Sequence, residues 1–306
     1  MGGVKGGQMR KDRLDGTGLA VLLAVTLLLA GSQVMVKLVN QGLQPVFFAG
    51  ARSALAIVFV GGWLVYRGLT GRVRRADLPV GLLIGGFFAV EFLGLFVALD
   101  LTTVGRSALI MYSMPVWMGV LAHFFIPGER ATPMKAAGLG LAFAGTALAI
   151  VSRSGAGTGH ASWLGDACAL LGAWGWTGTA FLARTTRLRE AGPEAQLFWM
   201  VLVSAPVLLL AAPLFGPLLR DVTWLDWALL VFQAGVVVAG GFIAWLWLFS
   251  VYPTGVVASF SFLSPIFAIF LGHFVFGEPL SPVLLVAAAL VSCGIVVINL
   301  RVSSRG

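Results

Sequence analysis

Ten stretches of this chain are long and apolar enough to cross a lipid bilayer as helices, and they leave almost no sequence over for anything else. A spanning helix needs about 20 predominantly apolar residues, because ~30 Å of hydrocarbon is crossed at ~1.5 Å per residue. The stretches are 18–38, 45–66, 78–99, 104–125, 133–152, 163–184, 195–214, 224–248, 254–276 and 281–300. Of the 306 residues, 59% are hydrophobic and only 10% are charged. A soluble domain carries roughly 25% charged residues, and one this apolar would expose large sticky patches. Barrel strands would show ~10-residue segments of alternating polarity. These stretches are apolar on every face and rich in Leu, Ala, Val and Gly, so the sequence predicts an all-α membrane protein of ten transmembrane helices with short connections. The basic start (Lys5, Arg10, Lys11, Arg13) would suit a signal peptide. The apolar run is long and nine more follow, so residues 1–17 read as a cytoplasmic tail before an uncleaved first helix.

The basic residues set an orientation. With the N-terminus in the cytoplasm, the inner side collects the four of the tail, Arg67, Arg72, Arg74 and Arg75, then Arg130 and Lys135, then Arg184, Arg187 and Arg189, and finally Arg301 and Arg305. The outer side holds only Arg106, Arg153 and Arg220, and Lys37 and Arg52 fall within spans. Fifteen against three is a strong positive-inside bias. Both termini are expected inside, in an inner (plasma) membrane. The net charge of +8 then matches anionic lipid head groups and does not call for nucleic acid. Cys168 and Cys293 sit singly within spans without metal or redox spacing and read as small core residues.

The chain repeats itself. Sliding by 150 residues aligns Gly105 with Gly255, Ala108 with Ala258, Pro115 with Pro265, Leu121 with Leu271, His123 with His273 and Phe124 with Phe274. After a one-residue deletion, Gly128-Glu129 meets Gly277-Glu278, Pro133 meets Pro282 and Gly145 meets Gly294. The repeats run over 18–152 and 163–301, with five spans in each. Five is odd, so the second repeat enters the membrane upside down, the arrangement of many secondary transporters.

A proline-bearing helix, a GER or GEP turn and a glycine-containing helix, present twice, resemble the drug/metabolite transporter superfamily, in particular its ten-helix EamA-type exporters. FFAGARSALA at 47–56 is similar to the family's Arg-bearing second helix. The departure is in the first span, where Ala30-Gly31 stands in place of the usual Trp-Gly that the second repeat keeps as Trp174-Gly175. The resemblance covers nearly the whole chain. It implies a basket of two inverted five-helix repeats around a central cavity, and the export of amino acids, drugs or other metabolites.

Glu91 is the sharpest candidate. It lies alone near the middle of the third span, in FFAVEFLGLF, where an acid facing lipid would be costly. It is expected to face a cavity and to meet a substrate ammonium or carry a proton, and its place resembles that of a Glu in the superfamily's aromatic amino-acid exporters. Gln33 and Lys37 share a face of the first span one turn apart. Gln33 offers a donor and an acceptor to an amino acid, whereas Lys37 is near enough to the outer end to snorkel. Arg52, about 10 Å below the outer surface at ~1.5 Å per residue, reads first as a brace to backbone carbonyls and second as a receiver of a carboxylate. Glu129 and Glu278 read as helix-terminus caps, and His123 and His273 as hydrogen-bonded structural groups.

By the resemblance, Tyr112, Trp174, Trp176, Trp245 and Phe260 line the cavity, where they would stack on an aromatic or apolar side chain. Pro115 and Pro265 are expected to bend spans 4 and 9 as matching hinges. Gly81 and Gly85 would let helices approach closely. No P-loop, HExxH or GxSxG motif occurs, and no cofactor or metal is called for. The reading is a secondary exporter of small metabolites, amino acids first, whose expected partners are that substrate, the bilayer and a proton as coupling ion. Export of cationic drugs or of phosphorylated or nucleotide sugars stands as the alternative, with a membrane enzyme as the other class.

Overall fold

The computed structural model describes residues 15–126, 132–152, 162–252, 260 and 263–299. Among them the regular structure is helical throughout. The elements are α1 (Gly16–Val39), α2 (Pro45–Tyr66), α3 (Leu78–Leu101), α4 (Val104–Met111), α5 (Met114–Phe125), α6 (Pro133–Val151), α7 (Trp163–Thr185), the single turn α8 (Leu188–Ala191), α9 (Pro193–Ala211), α10 (Trp224–Phe232), α11 (Phe242–Val251), α12 (Leu263–Phe276) and α13 (Pro282–Asn299). Among the described residues, seven helical stretches are long and apolar enough to cross a membrane. The 23-residue α7 and the shorter apolar α12 and α13 accompany them. The chain is a multi-pass helical membrane protein.

Short polar caps start these apolar rods. Asp15 accepts from the Gly18 amide, Thr103 from Arg106, Thr132 from Lys135, and Ser162 from Leu164 and Gly165. Each satisfies amides that have no partner within the helix. Proline opens α2, α6 and α9 in the first turn, where its missing N–H costs nothing. The fourth span is broken at Tyr112 and Ser113, between α4 and α5, just before Pro115. Pro265 likewise lies in the first turn of α12. Between α10 and α11, Gln233–Gly241 winds as a π-helix, a rare form that often marks functional positions.

The main packing crosses between the two repeats. α3 lies along α7 and α9, α2 along α9, α6 along α13, and α1 against α12. Backbones nearly touch where α3 meets α7: a Cβ on Gly94 would come within 2.5 Å of the Gly172 amide nitrogen, and one on Gly175 within 2.4 Å of the Glu91 nitrogen. Gly138 and Gly294 make the same kind of contact between α6 and α13. At the α2–α9 crossing, the Ser204 hydroxyl donates to Ser53 at 3.0 Å.

Candidate functional site

A cavity of about 680 Å³ lies between the repeats, within the 300–1,000 Å³ usual for small-molecule sites. Gln33 of α1, Arg52 of α2, Glu91 of α3, Tyr112 at the end of α4, Trp176 of α7 and Trp245 of α11 all line it. Phe88, Phe92, Met200 and Phe242 supply much of the apolar wall. The lining reaches the exposed Arg184 at the end of α7 and the half-buried Pro193 at the start of α9.

The opposite end is closed by charge pairs that join one repeat to the other. Lys37 meets Glu278 at 2.8 Å and also donates to the Thr102 carbonyl at 2.7 Å. Glu278 accepts from the Val104 amide at 2.8 Å and the Gly105 amide at 3.4 Å. The turn that brings Glu278 there needs Gly277, whose φ of +65° puts it in the left-handed region. Arg106 holds Asp166 through two 2.6 Å bonds and donates to the Ile150 carbonyl at 2.7 Å. Arg220 forks onto both Asp100 oxygens and donates to the Asn40 carbonyl; its bonds to Asp100 raise the pKa of its guanidinium.

Several polar atoms inside the cavity are unsatisfied. Arg52 is 3% exposed and Glu91 9%. Among the described residues, Nε and Nη2 of Arg52, Oε2 of Glu91 and Oε1 of Gln33 have no hydrogen-bond partner. The guanidinium of Arg52 instead stacks on aromatic faces, 3.9 Å from the Phe92 centroid and 4.8 Å from that of Phe96, a cation–π arrangement. The bracing role first read for Arg52 is corrected: among the described residues no bond to a backbone carbonyl holds it.

Three of the expected lining residues lie elsewhere. Lys37 belongs to the closed end, beside a small separate pocket formed with Gln41, Thr103, Phe276 and Glu278. Trp174 points outward, 47% exposed, with its ring against Trp117. Two residues along a helix are turned by about 200°, so placing Trp176 in the cavity turns Trp174 away from it. Phe260 packs with the Leu22, Val25 and Leu248 cluster between α1 and α11.

Glu278 does cap a helix, but the helix is α4, of the first repeat, rather than the one that follows it. Glu129 lies outside the described residues. His273 bonds through Nδ1 to the Glu278 carbonyl oxygen at 2.7 Å. The rings of His123 and His273 also meet Phe124 and Phe274 edge-on. Cys293 is exposed rather than in the core. Arg106, counted as an outer-side charge, is 2% exposed. The pairs of Arg106 with Asp166 and of Arg220 with Asp100 escaped the sequence reading, because their partners lie 60 and 120 residues apart.

Two similar helical halves lining a cavity between them are the architecture of a polytopic membrane transporter. The EamA-like transporter family matches residues 16–151 and again 163–300. The chain belongs to this family, with one copy of its unit in each repeat, and is a transporter rather than an enzyme. It is 29% identical over 268 residues to the uncharacterized transporter YvbV of Bacillus subtilis (strain 168), covering 84% of this chain and 83% of that protein. It is 20% identical over 287 residues to YoaV, an uncharacterized transporter of the same organism, covering 93% and 97%. A solved crystal structure superposes with a TM-score of 0.64 at 21% identity, over 92% of this chain and 96% of that one, which speaks to the shared fold.

Proposed function

We infer that this transporter exports small metabolites across the inner membrane by alternating access, with amino acids, aromatic ones included, as its cargo. The observation that carries the reading is the cavity of about 680 Å³, reaching Arg184 at one end and sealed at the other by ion pairs that each join the two repeats. In this reading ten helices cross the membrane, the second repeat is inverted and both termini are cytoplasmic. The charge bias places the Arg184 end inside, so the conformation is open to the cytoplasm, as an exporter loading its substrate requires. Breaking the sealing pairs while closing the Arg184 end would release cargo outward. No ATP-binding motif is present, which leaves gradients as the driving force, with a proton on Glu91 as one means of coupling. Aromatic walls from Phe88, Phe92, Tyr112, Trp176 and Trp245 suit an apolar or aromatic side chain.

The test is counterflow in proteoliposomes containing this chain alone, preloaded with unlabelled tryptophan, phenylalanine or leucine and given the labelled form outside. Accumulation above protein-free vesicles is expected. Movement of a quaternary amine or a sugar phosphate but no amino acid would keep the transporter and overturn the cargo.

A further inference from the structure

Some residues that serve the fold recur in both repeats, such as Pro115 and Pro265, and His123 and His273. Arg52 and Glu91 do not recur. The 150-residue register sets Leu202 against Arg52 and Gly241 against Glu91, and residues 233–249 contain no charged residue. The fold is thus built on the second side without either charge. A buried cation and a buried anion kept on one side only, lining the same cavity with unsatisfied atoms, need another reason, since each would cost several kcal/mol to leave unpaired.

We propose that Arg52 and Glu91 form a two-point site for a zwitterion: the guanidinium takes a carboxylate, the Glu91 carboxylate takes an ammonium, and Gln33 Oε1 accepts a second ammonium proton. This rests on the export of amino acids inferred above and names what in the cargo is recognised. The electrostatics select a ligand with both charges. A lone anion on Arg52 would share the cavity with the Glu91 carboxylate, and a lone cation on Glu91 would share it with Arg52, whereas a zwitterion satisfies both and adds no net charge to the cavity. Phe92 and Phe96 hold the guanidinium plane, which presents a fixed fork to a planar carboxylate. The substrate side chain then lies against Phe88, Tyr112, Trp176 and Met200. An analogue lacking one charged end leaves its protein partner buried and unpaired, and sites of this kind reject such analogues strongly.

The experiment is competition against labelled tryptophan counterflow by tryptamine, which lacks the carboxylate, and by indole-3-propionate, which lacks the ammonium, on the parent protein and on Arg52→Gln and Glu91→Gln. The parent is expected to prefer tryptophan over either analogue by at least about tenfold. Arg52→Gln should lose the discrimination against tryptamine while keeping that against indole-3-propionate, and Glu91→Gln should do the reverse. Tryptophan transport by a parent that accepts both analogues equally well overturns the two-point site and leaves amino-acid export standing. So does transport by variants that keep the parent's discrimination. A parent that moves no amino acid of the panel removes both inferences. The analogue comparison on the parent decides the matter even where a variant does not fold, and Arg52→Lys and Glu91→Asp, which keep the charges, should retain the order of preference.

Discussion

Replacing Glu278 with glutamine tests whether the closed end is a gate. The carboxylate is only 10% exposed and has three partners: Lys37 at 2.8 Å, the Val104 amide at 2.8 Å and the Gly105 amide at 3.4 Å. The last two are free amides at the start of α4, where the helix dipole favours an anion. Glutamine keeps the shape and one acceptor oxygen but removes the charge. Charge-assisted hydrogen bonds contribute about 1.5–3 kcal/mol, so the closed state should lose about that much. If the pair breaks when the protein opens outward, the equilibrium shifts by roughly 10- to 150-fold, since 1.4 kcal/mol is about tenfold. The readout is a cysteine at Val36, which lines the cavity and is 1% exposed, in a chain with Cys168 and Cys293 changed to alanine. A membrane-impermeant maleimide applied to the outside of cells should label it at least about tenfold faster in Glu278→Gln than in the parent. Equal labelling rates, with the variant folded and present in the membrane, would mean that the pair is not part of a gate.

Three further outcomes follow from the packing. Asp166→Ala strands the guanidinium of Arg106, 2% exposed and held by two 2.6 Å bonds; a loss of about 3–5 kcal/mol should lower the apparent unfolding temperature in detergent by roughly 6–15 °C. Arg106→Met with Asp166→Leu should recover most of that, and a fall under about 2 °C for Asp166→Ala alone would refute the account. Gly175→Ala puts a methyl within 2.4 Å of the Glu91 nitrogen and should destabilise by about 1–3 kcal/mol, whereas Gly31→Ala, with nothing within 4 Å, should melt with the parent; equal melting of the two would show that α3 and α7 are not in backbone contact. Alkaline phosphatase fused within 153–162 should be active and the same reporter after Gly306 inactive; the reverse pattern would turn the protein over in the membrane and make the conformation outward-open.

What was legible in the sequence was what repeats along one helix or between the two halves. Apolar length alone marked the starts of α2, α3, α6, α7 and α10, because the capping residues sit where the apolar runs begin. The paired prolines were read as bends within spans 4 and 9; each instead sits in the first turn of a helix, α5 or α12, where a ring without an N–H fits. Gly277-Glu278 was visible as a motif, but the helix it caps was not. The nearest helix in sequence was the natural guess, yet the left-handed turn at Gly277 carries Glu278 back onto Val104, 174 residues away.

Which face of a helix meets the cavity was harder to read, for a physical reason. The spans are apolar all round, so no amphipathic stripe marks the inward face, as it would on a soluble helix. Trp174 and Trp176 are equally apolar and only two positions apart, yet one faces out and the other in. Glycine was the signal that could have separated them. Gly172, Gly175 and Gly178 each lie where a Cβ would strike α3 or Phe87, and that line of small residues marks the buried face of α7. Trp174 stands off that face and packs against Trp117, while Trp176 stands beside Tyr112, ring centroids 5.7 Å apart, at the cavity wall. In a helix without polarity, the missing side chains carry the orientation. The polar residues that do occur then divide by their partners: Arg106, Asp166, Arg220 and Asp100 bond one another across the repeats, whereas Arg52 and Glu91 line the cavity with unpartnered atoms.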